Sequence, residues 1–207
     1  MPEISQIQTC VPFDAEGISA RMEAFGTWLA GYGGPPQLAT TLQRMEWRFD
    51  DDGYLDAGLD DFSISAGTGT ARLTAQPGIT GFSPRYLPEL DAPWVEFSLA
   101  MDTESLCDPE TGRYRDRYFQ PLLDLMLGLF EISGESGVYF TNEWDDGEAW
   151  LGVIDGDAER AWQFDIGVIP RSLLTTYQEL APGFAVYPHN KALVLVNLDT
   201  WEALEWP

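Results

Sequence analysis

One segment, RYRDRYFQPLLDLMLGLFEISG at residues 113–134, constrains the fold more than any other. Leu122, Leu125, Met126 and Leu129 recur at helical spacing, and Leu123, Leu127 and Phe130 widen the stripe until it wraps most of the helix. A helix that is apolar on most sides must be buried on most sides, and a sheet is the element that can cover it. The spacing predicts a helix over about 113–131. Pro121 either marks its first turn or kinks it.

A second helix is predicted over about 14–30. Asp14 is its candidate N-cap, and Ile18, Met22, Phe25 and Leu29 follow at spacings of four, three and four. GYGGPPQ (31–37) ends it. The rest reads as strands. TTLQRMEWRFDDDGYLDAG (40–58) reads as a strand, an Asp-Gly turn and a short return. FSISAG and ARLTAQ flank a Gly-Thr-Gly turn, residues 76–93 with four prolines read as a surface loop, and WVEFSLAMD (94–102) alternates as a strand. GVYFTNEW and EAWLGVIDG read as a hairpin, and AWQFDIGVIP as a strand. RSLLTTYQEL (about 171–180) reads as a short helix, and GFAVYP with ALVLVNL as a final strand pair. Runs of strands with few helices between them predict one α+β domain over 1–207. Its sheet is mainly antiparallel and twisted, packed by the two long helices and the short one.

Eight Trp, eight Tyr and eleven Phe place the chain among folded proteins. Its charge is the other constraint. Thirty-four acids against eleven bases give a net charge of −23, and the acids are dispersed along the chain. Such a surface repels nucleic acid and anionic membrane, and it draws in a basic protein. The bases are ten Arg and one Lys, Lys191. A GC-rich genome or a halophilic source would give the same imbalance.

The N-terminus, MPEISQIQTCVPFDAEG, shows neither a basic region nor an apolar run of a secretory signal, and no apolar run is long enough to span a membrane. Cys10 and Cys107 lie far apart without a CxxC and are expected as free thiols. A cytoplasmic, bacterial protein is expected.

Catalytic signatures are missing. The single histidine, His189, stands in a turn-like YPHNKA, so Ser-His-Asp and Cys-His devices lack material. There is no P-loop, and GTGTAR (67–72) reads as a hairpin turn. DDDGYLDAG (50–58) fails the EF-hand frame and DGDAE (155–159) is incomplete, so no metal or cofactor is expected and the chain reads as a non-enzyme.

The acidic stretch NEWDDGEAW (142–150) carries the functional reading. With Asp146-Gly147 as a two-residue turn, period two sends Trp144 inward with Val138 and Phe140, and Trp150 outward beside Glu143. A three-residue loop would exchange the two tryptophans, and a covering segment of the chain's own would bury Trp150. Tryptophan among carboxylates suits an Arg- or Lys-rich partner. The expected contact residues are Glu143, Asp145, Asp146, Glu148 and Trp150, with Asp50, Asp51, Asp52 and Tyr54 from EWRFDDDGYLD (46–56). The C-terminal LDTWEALEW (198–206) repeats the theme.

In size, acidity, compartment and lack of catalytic residues, the chain resembles the immunity proteins that bacteria hold against antibacterial toxins. It is a resemblance of type and rests on no particular residue. It implies an inhibitor that blocks a basic toxin. The alternatives are a DNA mimic or acidic adaptor, and a carbohydrate-active or carbohydrate-binding protein using Trp and carboxylates.

Overall fold

The computed structural model describes residues 3–59, 62–177 and 179–201. The alternating segment Trp94–Asp102 (β5) pairs antiparallel with Ile4–Pro12 (β1) on one side and with Leu73–Phe82 (β4) on the other. Around this trio the sheet grows to nine strands, all antiparallel. The others are Tyr54–Asp56 (β2), Ile64–Ala66 (β3), Val138–Asn142 (β6), Ile166–Pro170 (β7), Phe184–His189 (β8) and Ala192–Asn197 (β9). The order is β2-β4-β5-β1-β6-β7-β9-β8, with β3 also on β4. The molecule is a single α+β domain, as the sequence indicates.

One face of the sheet is covered by Ile18–Gly31 (α1), Leu38–Arg44 (α2) and Phe119–Ser133 (α4). Ile18, Met22, Phe25 and Leu29 of α1 and Leu122, Leu125, Met126 and Leu129 of α4 are buried there, at the spacing the sequence shows. Pro121 lies in the first turn of α4, where its missing N–H costs nothing. The opposite face holds a smaller core. The helix Glu148–Asp155 (α5), the 3-10 turn Arg160–Trp162 and the segment through Tyr177 pack on it. A four-residue helix, Thr103–Leu106 (α3), follows β5.

Several expectations are corrected. Helix α1 starts after Gly17. The Asp14 side chain accepts the Glu16 N–H (3.1 Å), so it closes the preceding turn rather than capping the helix. Residues 38–44 are helix α2 and not a strand: Leu38 and Leu42, one turn apart, bury against α1, which outweighs the period-two pattern of Met45, Trp47 and Phe49. Strand β4 continues through 76–82, a stretch expected as loop. Pro77 falls between the short partners β3 and β2, where one edge of β4 has no ladder to interrupt, and only 83–93 is loop. Arg171–Leu173 is a single 3-10 turn rather than the start of a helix to 180, and residue 178 lies outside the described residues. Tyr177 draws this segment onto the core instead, donating to Ala161 O (3.1 Å) and pairing with the Tyr139 hydroxyl (3.0 Å).

The largest correction concerns EAWLGVID, which is helix α5 and not the return strand of a hairpin. Gly152 shows how tightly it sits: a Cβ there would come within 2.4 Å of Ala161 N. Cys10 and Cys107 are free and buried. No described helix is long and apolar enough to cross a membrane.

Candidate functional site

After β6 the chain makes a 3-10 turn at Glu143–Asp145. Asn142 caps it, its Oδ1 accepting the Trp144 N–H (2.9 Å) and its Nδ2 donating to Asp145 Oδ2 (3.2 Å). The Glu3 N–H donates to Glu143 Oε1 (2.9 Å). These bonds hold Trp144 outward, 71% exposed. Gly147 then turns the chain at φ +76°, in the left-handed region, and α5 folds back over the sheet with Ala149 and Trp150 beneath it. Trp150 is 1% exposed. Both tryptophan assignments from the sequence are therefore reversed: Trp144 is the surface residue, and Trp150 is a core residue that no partner can reach as an outward anchor. The cause is the switch from period two to helical geometry after Gly147.

Where α5 meets the sheet, a cavity of about 410 Å³ opens between the strands and the loop after β4. Its floor is built by register. Glu96 of β5 stands opposite Thr80 of β4 on one side and Cys10 of β1 on the other, all on the face away from α1 and α4. Its walls are aromatic. Phe82 stacks on Trp150 (centroids 6.0 Å, interplanar angle 20°), Tyr54 lies against Tyr86 (5.0 Å) and Phe82 (5.8 Å), and Tyr86 forms the rim at 48% exposure. Gly53 sets the wall. At φ +86° it lets the acidic turn 50–53 pack on the loop 83–86, where a Cβ would meet Ser83 Oγ at 2.2 Å. Asp50 Oδ1 accepts the N–H groups of Asp52 and Tyr54 (both 2.9 Å), which fixes Tyr54 over the cavity.

Asp146 stands at the mouth. Gln6 Nε2 donates to its Oδ1. With its amide turned to suit its neighbours, Gln8 also donates to Asp146 Oδ1 (3.0 Å) and accepts from Gly147 N (3.0 Å). Partial burial raises the Asp146 pKa, and the bond from Gln6 opposes this.

Glu96 is 7% exposed. Burial, and then the Asp146 charge, push its carboxyl up from 4.5 to about 8. The Trp150 indole and the Thr80 hydroxyl face it and favour the charged form, but neither closes a hydrogen bond, and Trp150 Nε1 and Thr80 Oγ1 remain unpartnered. A neutral acid thus lies under a second carboxylate within a ring of aromatic faces.

Among the residues singled out in the sequence, the structure brings Tyr54, Asp146 and Trp150 together around this cavity, with Asp50, Asp51 and Asp52 exposed in the turn leading into Tyr54. Glu148 is engaged within the chain, accepting from Arg160 Nε (2.6 Å), while Arg160 also reaches Asp155 (3.1 Å). Glu143 and Asp145 flank Trp144, which borders a separate pocket of about 260 Å³ with Arg113 and Asp165. Asp165 is 5% exposed, its Oδ2 is unpartnered, and burial raises its carboxyl to about 6. Trp201 is buried, and residues 202–206 of the C-terminal acidic stretch lie outside the described residues. His189 is the last residue of β8 rather than part of a turn. Among the described residues, no three His, Cys, Asp or Glu side chains converge as metal ligands.

Sequence reasoning missed Glu96, Phe82, Tyr86 and Asp165. Glu96 carried a signal, a charged residue inside the strand pattern VEF. Period two puts it on the face opposite Val95 and Phe97, and only a cover over that second face makes it buried.

No family model matches the chain, and no curated protein matches it. Among solved structures, a Pseudomonas aeruginosa T6SS protein superposes with a TM-score of 0.40 at 11% identity, over 94% of this chain. The chain spans 66% of the length of that protein. At this level neither a fold family nor an activity transfers.

Proposed function

We propose that this protein is an acidic binding protein that captures and neutralises a basic protein partner. In its specific form we read it as an immunity protein acting in the bacterial cytoplasm against a basic antibacterial toxin, and as a binder rather than an enzyme. The observation that carries this reading is Trp144, a large aromatic side chain 71% exposed between Glu143 and Asp145 on a turn pinned by its own hydrogen bonds. A rigid ring among carboxylates offers packing area and cation–π attraction to Arg or Lys without an ordering cost. The net charge of −23 supplies long-range attraction, because eleven bases cannot neutralise thirty-four acids.

The test is association kinetics with a basic candidate toxin. The association rate should fall steeply as salt rises from about 50 to about 500 mM, while dissociation changes little. A salt-independent association rate would overturn electrostatic capture.

A second reading has one specific observation behind it. Glu96, held neutral beside Asp146 and among aromatic rings, combines an acid and a carboxylate as carbohydrate-active sites do. Release of nitrophenol from aryl glycosides, lost in Glu96→Gln, would replace the first reading with this one.

A further inference from the structure

The Glu96 cavity holds a buried carboxyl without a hydrogen-bond partner among the described residues, beneath a second carboxylate at its mouth. Glu96 is more than nine-tenths buried and faces open space. Among the described residues no Arg or Lys lines the cavity, and Arg160, the base carried just beyond α5, is already committed to Glu148 and Asp155. A carboxyl in this setting is stabilised either by staying protonated or by gaining a cation. The surroundings suit the second outcome. Asp146 supplies another carboxylate at the mouth, Tyr54, Phe82 and Tyr86 present aromatic surface, and the buried Trp150 indole N–H and Thr80 hydroxyl are unpartnered donors that would serve Glu96 once it ionises.

We propose that this cavity is the receptor for one arginine side chain of the protein partner, its guanidinium held between Glu96 and Asp146 and its alkyl stem against Phe82 and Tyr86. The inference rests on the reading of the protein as an acidic binder and names the chemistry that its partner inserts. Arginine fits better than lysine. Its planar fork serves two separate carboxylates at once, and its flat face stacks on aromatic rings, whereas an ammonium is compact and strongly hydrated. The cavity volume of about 410 Å³ leaves room for a side chain of this length.

Binding draws the Glu96 proton off. Among the described residues, the titratable groups that face Glu96 or line its cavity are Asp146 from the 143–147 turn, Tyr54 from β2, Tyr86 from the loop after β4 and Cys10 from β1. Of these, the Tyr54 hydroxyl and the Cys10 thiol have pKa values raised further above their already high ordinary ones, so Glu96 is the group that ionises when the cation enters near neutral pH. Affinity should therefore weaken several-fold between pH 8 and pH 6.

The experiment titrates N-acetyl-arginine amide into the intact protein and follows the Trp150 indole N–H by NMR. N-acetyl-citrulline amide, with the same shape and no charge, is the control, and methyl glucoside is the third probe. A saturable shift with the arginine derivative, none with the other two, and at least a tenfold loss of affinity in Glu96→Gln are expected. Equal binding of citrulline, an undiminished response in Glu96→Gln, no saturable response, or a response to methyl glucoside instead would each overturn the proposal. Glu96→Gln keeps the side-chain shape and the neutral state of the unliganded carboxyl while removing the proton that binding would draw off, so the variant should fold. Partner binding then separates the two claims. Binding that keeps its salt dependence but is unchanged in Glu96→Gln overturns the cavity assignment alone. Binding by the wild type that shows no salt dependence overturns the functional reading, whatever the arginine probe does.

Discussion

Phe97 and Glu96 are neighbours on one strand and belong to two different regimes. Phe97 shares its face with Val95 and Leu99, under the apolar stripes of α1 and α4. Glu96 shares the other face with Thr80 and Cys10, beside the shorter α5. Both residues are buried, at 0% and 7% exposure. The strand is the same, so the difference lies in what covers it. Two long helices seal the first face with aliphatic and aromatic groups. An eight-residue helix and a loop cover the second incompletely, and the space left over is the cavity. The first face contributes hydrophobic burial that pH does not touch. The second carries an electrostatic cost that pH sets.

The largest effects should come from emptying either core. Phe97→Ala should destabilise the fold by about 3–5 kcal/mol, the usual loss for a buried large aromatic. Trp150→Ala should cost a similar amount, because Trp150 is core to the second face as Phe97 is to the first. Urea unfolding at pH 5 and pH 8 should return nearly the same loss for Phe97→Ala. A Trp150→Ala variant as stable as the wild type would break the comparison, since the second face would then not be a core.

Glu96→Gln should sharpen it. The folded-state carboxyl, at about 8, stands above its ordinary 4.5. The folded protein therefore binds the extra proton between those values, and wild-type stability falls as pH rises through that window and levels off above it. Glutamine has no such cost. The two proteins should be about equally stable near pH 4, and Glu96→Gln should be more stable by about 2–4 kcal/mol at pH 9, below the limit of roughly 5 kcal/mol that the full shift allows. Unfolding midpoints across that range are the measurement. A constant difference at every pH would mean that Glu96 is already compensated.

The same contrast explains what the sequence made legible. Helical stripes as strong as those of α1 and α4 show their buried faces directly, because one period serves the whole element. Strand β5 was equally readable from its alternation. The second face was not. Its cover depends on a change of period at Gly147, and the dipeptide Asp146-Gly147 is as good a hairpin turn as it is a helix lead-in. Misreading that one position turned α5 into a strand and exchanged Trp144 with Trp150. Tyr54 and Asp146 were found because acids beside aromatic residues are visible locally. Glu96 reaches them only through the pairing of β4, β5 and β1, which no local pattern states.

The smallest expected effect on stability belongs to Trp144, and its smallness is what makes the residue informative. Its backbone N–H, not its ring, holds the turn, through the bond to Asn142 Oδ1. Alanine keeps that bond. With the side chain 71% exposed, little apolar surface is lost from the fold, and Trp144→Ala should shift stability by no more than about 0.5 kcal/mol. Partner binding should weaken by about 2 kcal/mol or more, close to thirtyfold in affinity, if the ring is the anchor of the interface. Replacing Glu143 and Asp145 by Gln and Asn should instead slow association and leave dissociation nearly unchanged, because exposed charges act mainly at long range. Normal partner binding by a well-folded Trp144→Ala would remove this turn from the interface. Loss of folding in the same variant would show that the ring is covered, and the contrast between an outward Trp144 and an inward Trp150 would fail with it.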